Sequence, residues 1–185
     1  MAKDPFPYRD IPVWDETYLR YKGLFDFDGL YAGVVDWAKN YNYFFHEKVY
    51  KHKVPSAKGA EQGLRWSLTQ KVDEYVIYEF ILEFHIWDMK EVKVNVGGRQ
   101  KSLSSGRIEI KVTPFLHTDW QKKFDKKVWW QRLLGKLYFK VMITDIEVFH
   151  IDTLRYRHNN ILAHIRKLLD MESKTHVYKE YLGEN

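Results

Sequence analysis

Eight histidines and 25 acidic side chains are the chain's stock of groups for metal or acid–base chemistry, and spacing decides what they could do. His46 and His52 share one parity of a strand, but at about 3.3 Å per residue they lie roughly 20 Å apart, too far to ligate one ion. His117-Thr118-Asp119 sets an imidazole and a carboxylate on one side of a strand end, with no further ligand at a convincing spacing. His158 falls beside an apolar helical stripe, where a hydrogen-bonded interior or boundary histidine is expected. Cysteine is absent, which removes disulfides, thiolate catalysis and Cys-based zinc sites but leaves the compartment open. No catalytic residue, metal ligand or cofactor is assigned from these spacings.

Asp26-Phe27-Asp28-Gly29 superficially resembles the DxDG opening of haloacid-dehalogenase-type phosphatases, in which the first aspartate is a nucleophile and the second a general acid beside Mg²⁺. That motif follows a buried apolar strand, because its carboxylates must emerge at a sheet's C-terminal edge. Here Tyr21-Lys22-Gly23 precedes it, Leu30 replaces the hydroxyl that follows the glycine, and no alternating strand–helix pattern supplies the fold. The expected role is a turn, followed by a helix that Asp28 caps.

The densest basic and aromatic cluster is Lys122, Lys123, Lys126 and Lys127 interleaved with Trp120, Phe124, Trp129 and Trp130. Lysines neutralise phosphates and aromatic rings stack on unpaired bases, so the cluster suits single-stranded nucleic acid. It also suits an anionic membrane surface, a less favoured partner, with tryptophan at the interface and lysine on the headgroups. Both compete with a plain helix entrance whose tryptophans pack while its lysines stay in water. Arg157, His164 and Lys167, with Asn160 between them, line one side of a later helix, either as a phosphate-binding ridge or as the wet face of a surface helix.

The elements that must position these groups follow from periodicity. From Tyr75 to Val96, the residues Val76, Tyr78, Phe80, Leu82, Phe84 and Ile86 alternate with Glu79, Glu83 and His85, the period of two of a half-buried strand. Such a strand would extend roughly 70 Å, against roughly 40 Å for the diameter of a globule of this length. It must bend, break or protrude. The pattern fails at Asp88-Met89-Lys90, resumes at Val92, Val94 and Val96, and meets Gly97-Gly98, suited to a primed hairpin turn. On the return strand a β-bulge at Gly106 is expected to restore the face between Leu103 and Ile108.

Upstream, a helix is expected over about residues 29–40, an edge strand or one buried on both faces over Tyr41–Val54, and a strand carrying Leu64, Trp66, Leu68 and Val72. Downstream, two helices are expected over Lys126–Ile143 and Ile146–Met171, separated by a cap at Thr144 or Asp145. The first has a stripe of Trp130, Leu133, Leu134, Leu137 and Val141, and the second one of Leu154, Ile161, Ile165 and Leu168. The fold class is therefore α+β: an antiparallel β-meander with a long bent hairpin, one N-terminal helix and two C-terminal helices packed on the sheet.

In domain terms, residues 1–27 read as an extended aromatic and proline-rich arm, 28–172 as a single α+β domain with a hairpin extension near 91–106, and 173–185 as a tail. The 185 residues, with 7 Trp, 13 Tyr and 11 Phe, are enough to bury a sizeable core. The net charge of +5 resides in residues 120–185, which hold 13 Lys and Arg against 8 Asp and Glu. No signal peptide or membrane span is evident, so a soluble protein of unknown compartment is expected.

The expected function is that of a non-enzymatic structural subunit, self-associating into an oligomer, ring or tube through its arm and hairpin. The interface residues are Phe6, Tyr8, Trp14, Tyr18, Val94, Val96, Arg99 and Leu103. The alternatives are a single-stranded nucleic-acid module using Lys122, Lys123, Lys126, Lys127, Trp129, Trp130, Arg157 and Lys167, and a carrier of a small hydrophobic ligand. No small-molecule substrate is identified.

Overall fold

The computed structural model describes residues 10–13, 16–56, 59–96, 99–124 and 129–171. The long alternating run is one strand of 21 residues (Val76–Val96), paired antiparallel with Arg99–Thr118 from Val76↔Thr118 to Val96↔Arg99. Gly59–Lys71 pairs along its other side, and Phe44–Ser56 forms that edge of the sheet. At the opposite edge, Asp10–Pro12 and Thr17–Phe25 both pair with Arg99–Thr118. In chain order these strands are β1 (Asp10–Pro12), β2 (Thr17–Phe25), β3 (Phe44–Ser56), β4 (Gly59–Lys71), β5 (Val76–Val96) and β6 (Arg99–Thr118), in the sheet order β1-β6-β5-β4-β3 with β2 also on β6. Much of the expected arm is thus extended chain packed on its own sheet.

The charged break in β5 does not end the strand. The register shifts between Trp87 and Lys90, and Asp88 takes a positive φ of 57°. The irregularity lies on β5, whereas the sequence pattern assigned a bulge to Gly106 on β6. Gly106 sits opposite and permits the close approach, since a Cβ there would stand 2.8 Å from the Trp87 carbonyl oxygen. Pairing with β4 ends at Met89 and pairing with β2 at Ser104, so beyond the Glu91↔Ser104 pair the distal β5–β6 tip pairs only with itself among the described residues.

The even positions of β5 face a helical layer. Val76, Tyr78, Phe80, Leu82, Phe84 and Ile86 are buried with Leu64, Trp66 and Leu68 of β4 and Ile108, Ile110 and Val112 of β6. Helix α1 (Phe27–Asn40) covers them with Leu30, Val34 and Trp37. Its N-cap is Asp26, whose carboxylate accepts from the Gly29 N–H at 2.8 Å; the expected cap, Asp28, lies in the first turn and faces solvent. The oxygen two residues upstream reaches an orphan N–H that Asp28 cannot.

The C-terminal layer contains α2 (Trp129–Asp145), a π-helical stretch (Ile146–Ile151) and α3 (Asp152–Leu168). These join without a break: Asp145, Ile151 and Asp152 all hold right-handed helical angles, and Asp145 makes no side-chain cap. The cap expected at Thr144 or Asp145 is therefore replaced by a π-helical insertion, which turns the apolar stripe without ending the helix. Leu154, His158, Ile161, Leu162 and Ile165 of α3 are buried in the core. Gly33 lets α3 approach α1, since a Cβ there would lie 2.6 Å from Leu168.

Candidate interaction surface

Helix α2 begins beyond the end of β6 and presents its most apolar side to water. Trp130, Leu134, Leu137 and Val141, spaced by four, three and four residues, are 47–76% exposed, and Trp129 and Leu133 beside them are 75% and 51% exposed. On the opposite side, Gly135 and Phe139 are buried. Tyr138 packs its ring edge on Tyr75 at a centroid distance of 4.9 Å, and Phe124 lies 5.4 Å from Tyr138. The stripe marked by sequence periodicity is real, but it is turned away from the chain's own core. Val148 and Phe149, both strongly exposed, extend the apolar surface along the π-helical stretch.

The basic groups around this surface are distributed unevenly. Lys122 is exposed in a left-handed conformation (φ 55°), and Lys123 pairs with Glu74 at 2.7 Å. Lys126 and Lys127 lie outside the described residues, while Lys136 and Lys140 are exposed on α2. Asp119, itself buried, accepts from the backbone N–H groups of Lys123 and Phe124 and fixes the turn into this segment. From Lys126 to Thr144 the sequence has no carboxylate.

The row on α3 read either as a wet face or as a phosphate ridge lies partly against α1 and its C-cap Tyr41. Arg157 stacks on the Tyr41 ring at 3.9 Å, Asn160 accepts from the Trp37 indole at 2.7 Å, and His164 Nε2 meets the Gly33 carbonyl at 3.1 Å. Lys167 stays exposed. A surface pattern and a polar helix–helix seam look alike in sequence, because both require hydrophilic side chains opposite the apolar stripe.

Of the expected interface residues, Phe6, Tyr8 and Trp14 lie outside the described residues. Tyr18 is exposed on β2 and donates to Glu16 at 2.6 Å. Val94 and Leu103 are half-buried on the distal tip, where Val96↔Arg99 is the last described pair before Gly97 and Gly98, which lie outside it.

Two polar groupings escaped sequence analysis. On the sheet's outer side, Glu79 of β5 is buried and accepts from Ser67 of β4, from Lys48 of β3 at 2.8 Å and from His117 of β6 at 2.8 Å. The His117 hydrogen bond, aided by Lys48 and Ser67 and opposed by burial, holds its carboxyl down to about 2. These residues are far apart in sequence, and strand register alone unites them. His117 therefore faces Glu79, while its expected companion Asp119 serves as a turn cap.

On the inner side, Tyr78 bonds His150 Nδ1 at 2.9 Å, and burial pushes its phenol up to about 12. His158 is interior, stacked 6.3 Å from Phe80, with a pKa lowered by burial and an Nε2 without a partner among the described residues.

Among the described residues no three His, Asp or Glu side chains converge as a metal site. An open hollow of about 610 Å³ on the outer sheet face is lined by charges that largely satisfy one another, as in His85–Glu61 at 2.7 Å and Lys111–Glu83 at 3.3 Å. A second hollow of about 330 Å³ lies over Arg157, between Tyr41 and Tyr156. Between the sheet and α1, Trp37, Trp66 and Phe80 fill the space. No helix among the described residues is long and apolar enough to cross a membrane. No protein-family model matches the chain, and no curated protein is significantly similar to it.

Proposed function

We propose that the protein is a non-enzymatic assembly subunit that binds further copies of itself, with the outer face of α2 as its principal contact and the β5–β6 tip as a second contact. The observation that carries this reading is the exposure of Trp129, Trp130, Leu133, Leu134, Leu137 and Val141 on one helix. From their fractional exposures these six side chains present roughly 700 Å² of largely apolar surface, above the few hundred Å² usual for a monomer's largest patch. It approaches the roughly 800 Å² that each partner contributes to a stable interface.

The two contacts lie at opposite ends of the strands: α2 beside the start of β5, the tip at its end. A subunit with two adhesive regions can build a larger ring or tube, whereas a single self-complementary face closes only a dimer, so the tip contact is what would join α2-paired dimers. The N-terminal residues Phe6, Tyr8 and Trp14 remain part of this proposal as a further contact.

Sedimentation equilibrium of the full chain tests it. The expected result is a mass that is a multiple of 22.4 kDa and that falls to one subunit in L134E/L137E with an unchanged circular dichroism spectrum. A monodisperse monomer at high concentration overturns the reading.

A further inference from the structure

We infer that α2 of one subunit pairs antiparallel with α2 of a second copy, Trp130 against Val141 and Leu134 against Leu137. This rests on the self-association proposed above and adds its geometry. The four–three–four spacing of Trp130, Leu134, Leu137 and Val141 is that of a helix–helix seam. It is also symmetric about the Gly135–Lys136 bond, so reversing one helix maps each seam residue onto another. A two-fold axis there closes two Trp130–Val141 layers around two Leu134–Leu137 layers, an interface that uses one patch twice.

Charge selects the direction. Between Asp125 and Asp145 the only charged side chains are five cations, Lys126, Lys127, Arg132, Lys136 and Lys140, and Glu147 follows Asp145. A parallel pair would set two lysine-rich N-terminal ends side by side, each reinforced by the positive end of its helix dipole. An antiparallel pair sets that end beside Asp145 and Glu147, neither of which has a cation partner among the described residues.

The seam residues are apolar, so the pair persists in added salt. Binding to single-stranded nucleic acid or to an anionic bilayer instead fades as salt is added.

The chain contains no cysteine, which makes disulfide trapping clean. W130C and V141C are prepared separately, checked for folding by circular dichroism, and oxidised alone and as a mixture. In the antiparallel pair each position lies roughly 16 Å along the axis from its own copy, beyond the roughly 7 Å Cα separation that a disulfide bridges. The expected result is therefore a cross-linked dimer in the mixture and none in either variant alone. If W130C fails to fold, a mixture of L134C and L137C reports the inner layer of the same seam.

Cross-linking of V141C to itself overturns the antiparallel geometry in favour of a parallel one. An oligomeric mass with no cross-link at any of these positions overturns the α2 seam but leaves self-association standing. A monomeric mass overturns both. Retention on a dT oligonucleotide or on phosphatidylserine vesicles that fades with salt, without self-association, replaces the second copy with that partner.

Discussion

Truncating the seam leucines separates association from folding. Leu134 and Leu137 are 47% and 52% exposed, so roughly half of each side chain remains to be covered by a partner. Full burial of a leucine contributes about 1.5–3 kcal/mol, so covering the exposed half contributes about 1 kcal/mol. A two-fold interface loses each side chain twice. L137A should weaken association by about 2 kcal/mol, roughly 30-fold in Kd, and L134A/L137A by about 4 kcal/mol, roughly a thousandfold. Stability of the isolated subunit should fall by no more than about 1 kcal/mol per leucine, because roughly half of each side chain is already in water and alanine is a good helix former. F139A provides the contrast: Phe139 is 6% exposed, and its loss should destabilise the fold by about 3–5 kcal/mol. Sedimentation equilibrium over a concentration series gives Kd, and urea unfolding in the dissociated range gives folding stability. The reasoning is refuted if L134A/L137A associates as tightly as the parent, or if it loses folding stability as F139A does.

Three further predictions concern the fold that carries the surface. Glu79 has a folded pKa of about 2 against an ordinary 4.5. Its stabilisation is therefore complete above about pH 4.5 and lost as pH falls through the folded value, an effect of up to about 3 kcal/mol. E79Q should flatten the acid limb of a stability–pH profile measured by urea unfolding; an unchanged limb would mean that the His117–Glu79–Lys48 network does not govern acid stability. D26A should cost about 1 kcal/mol as a lost N-cap, and D28A clearly less, so equal losses in thermal unfolding would contradict the cap assignment. G106A forces a Cβ against the Trp87 carbonyl oxygen at 2.8 Å and should destabilise by about 1–3 kcal/mol, with amide shifts centred on Asp88 and Met89; a silent substitution would show that the strands separate there without strain.

The sequence by itself determined the α+β class, the alternation of β5, the site of its break at Asp88–Lys90 and the apolar stripe on α2, because each is a local periodicity of two or near 3.6. It could not tell a Gly106 bulge from a register shift across the strand pair, since either restores the face. Nor could it distinguish Asp28 from Asp26 as the helix cap, because both precede the apolar face by a few residues and only backbone angles decide which oxygen meets a free N–H. Tertiary structure alone decided that Lys48, Ser67, Glu79 and His117 meet, because strand register joins residues tens of positions apart. It also decided the meaning of the α2 stripe. Periodicity records that Trp130, Leu134, Leu137 and Val141 share one side of a helix; only the packing of Gly135 and Phe139 on the other side turns that stripe outward, leaving an apolar face to be buried by something other than the chain's own core.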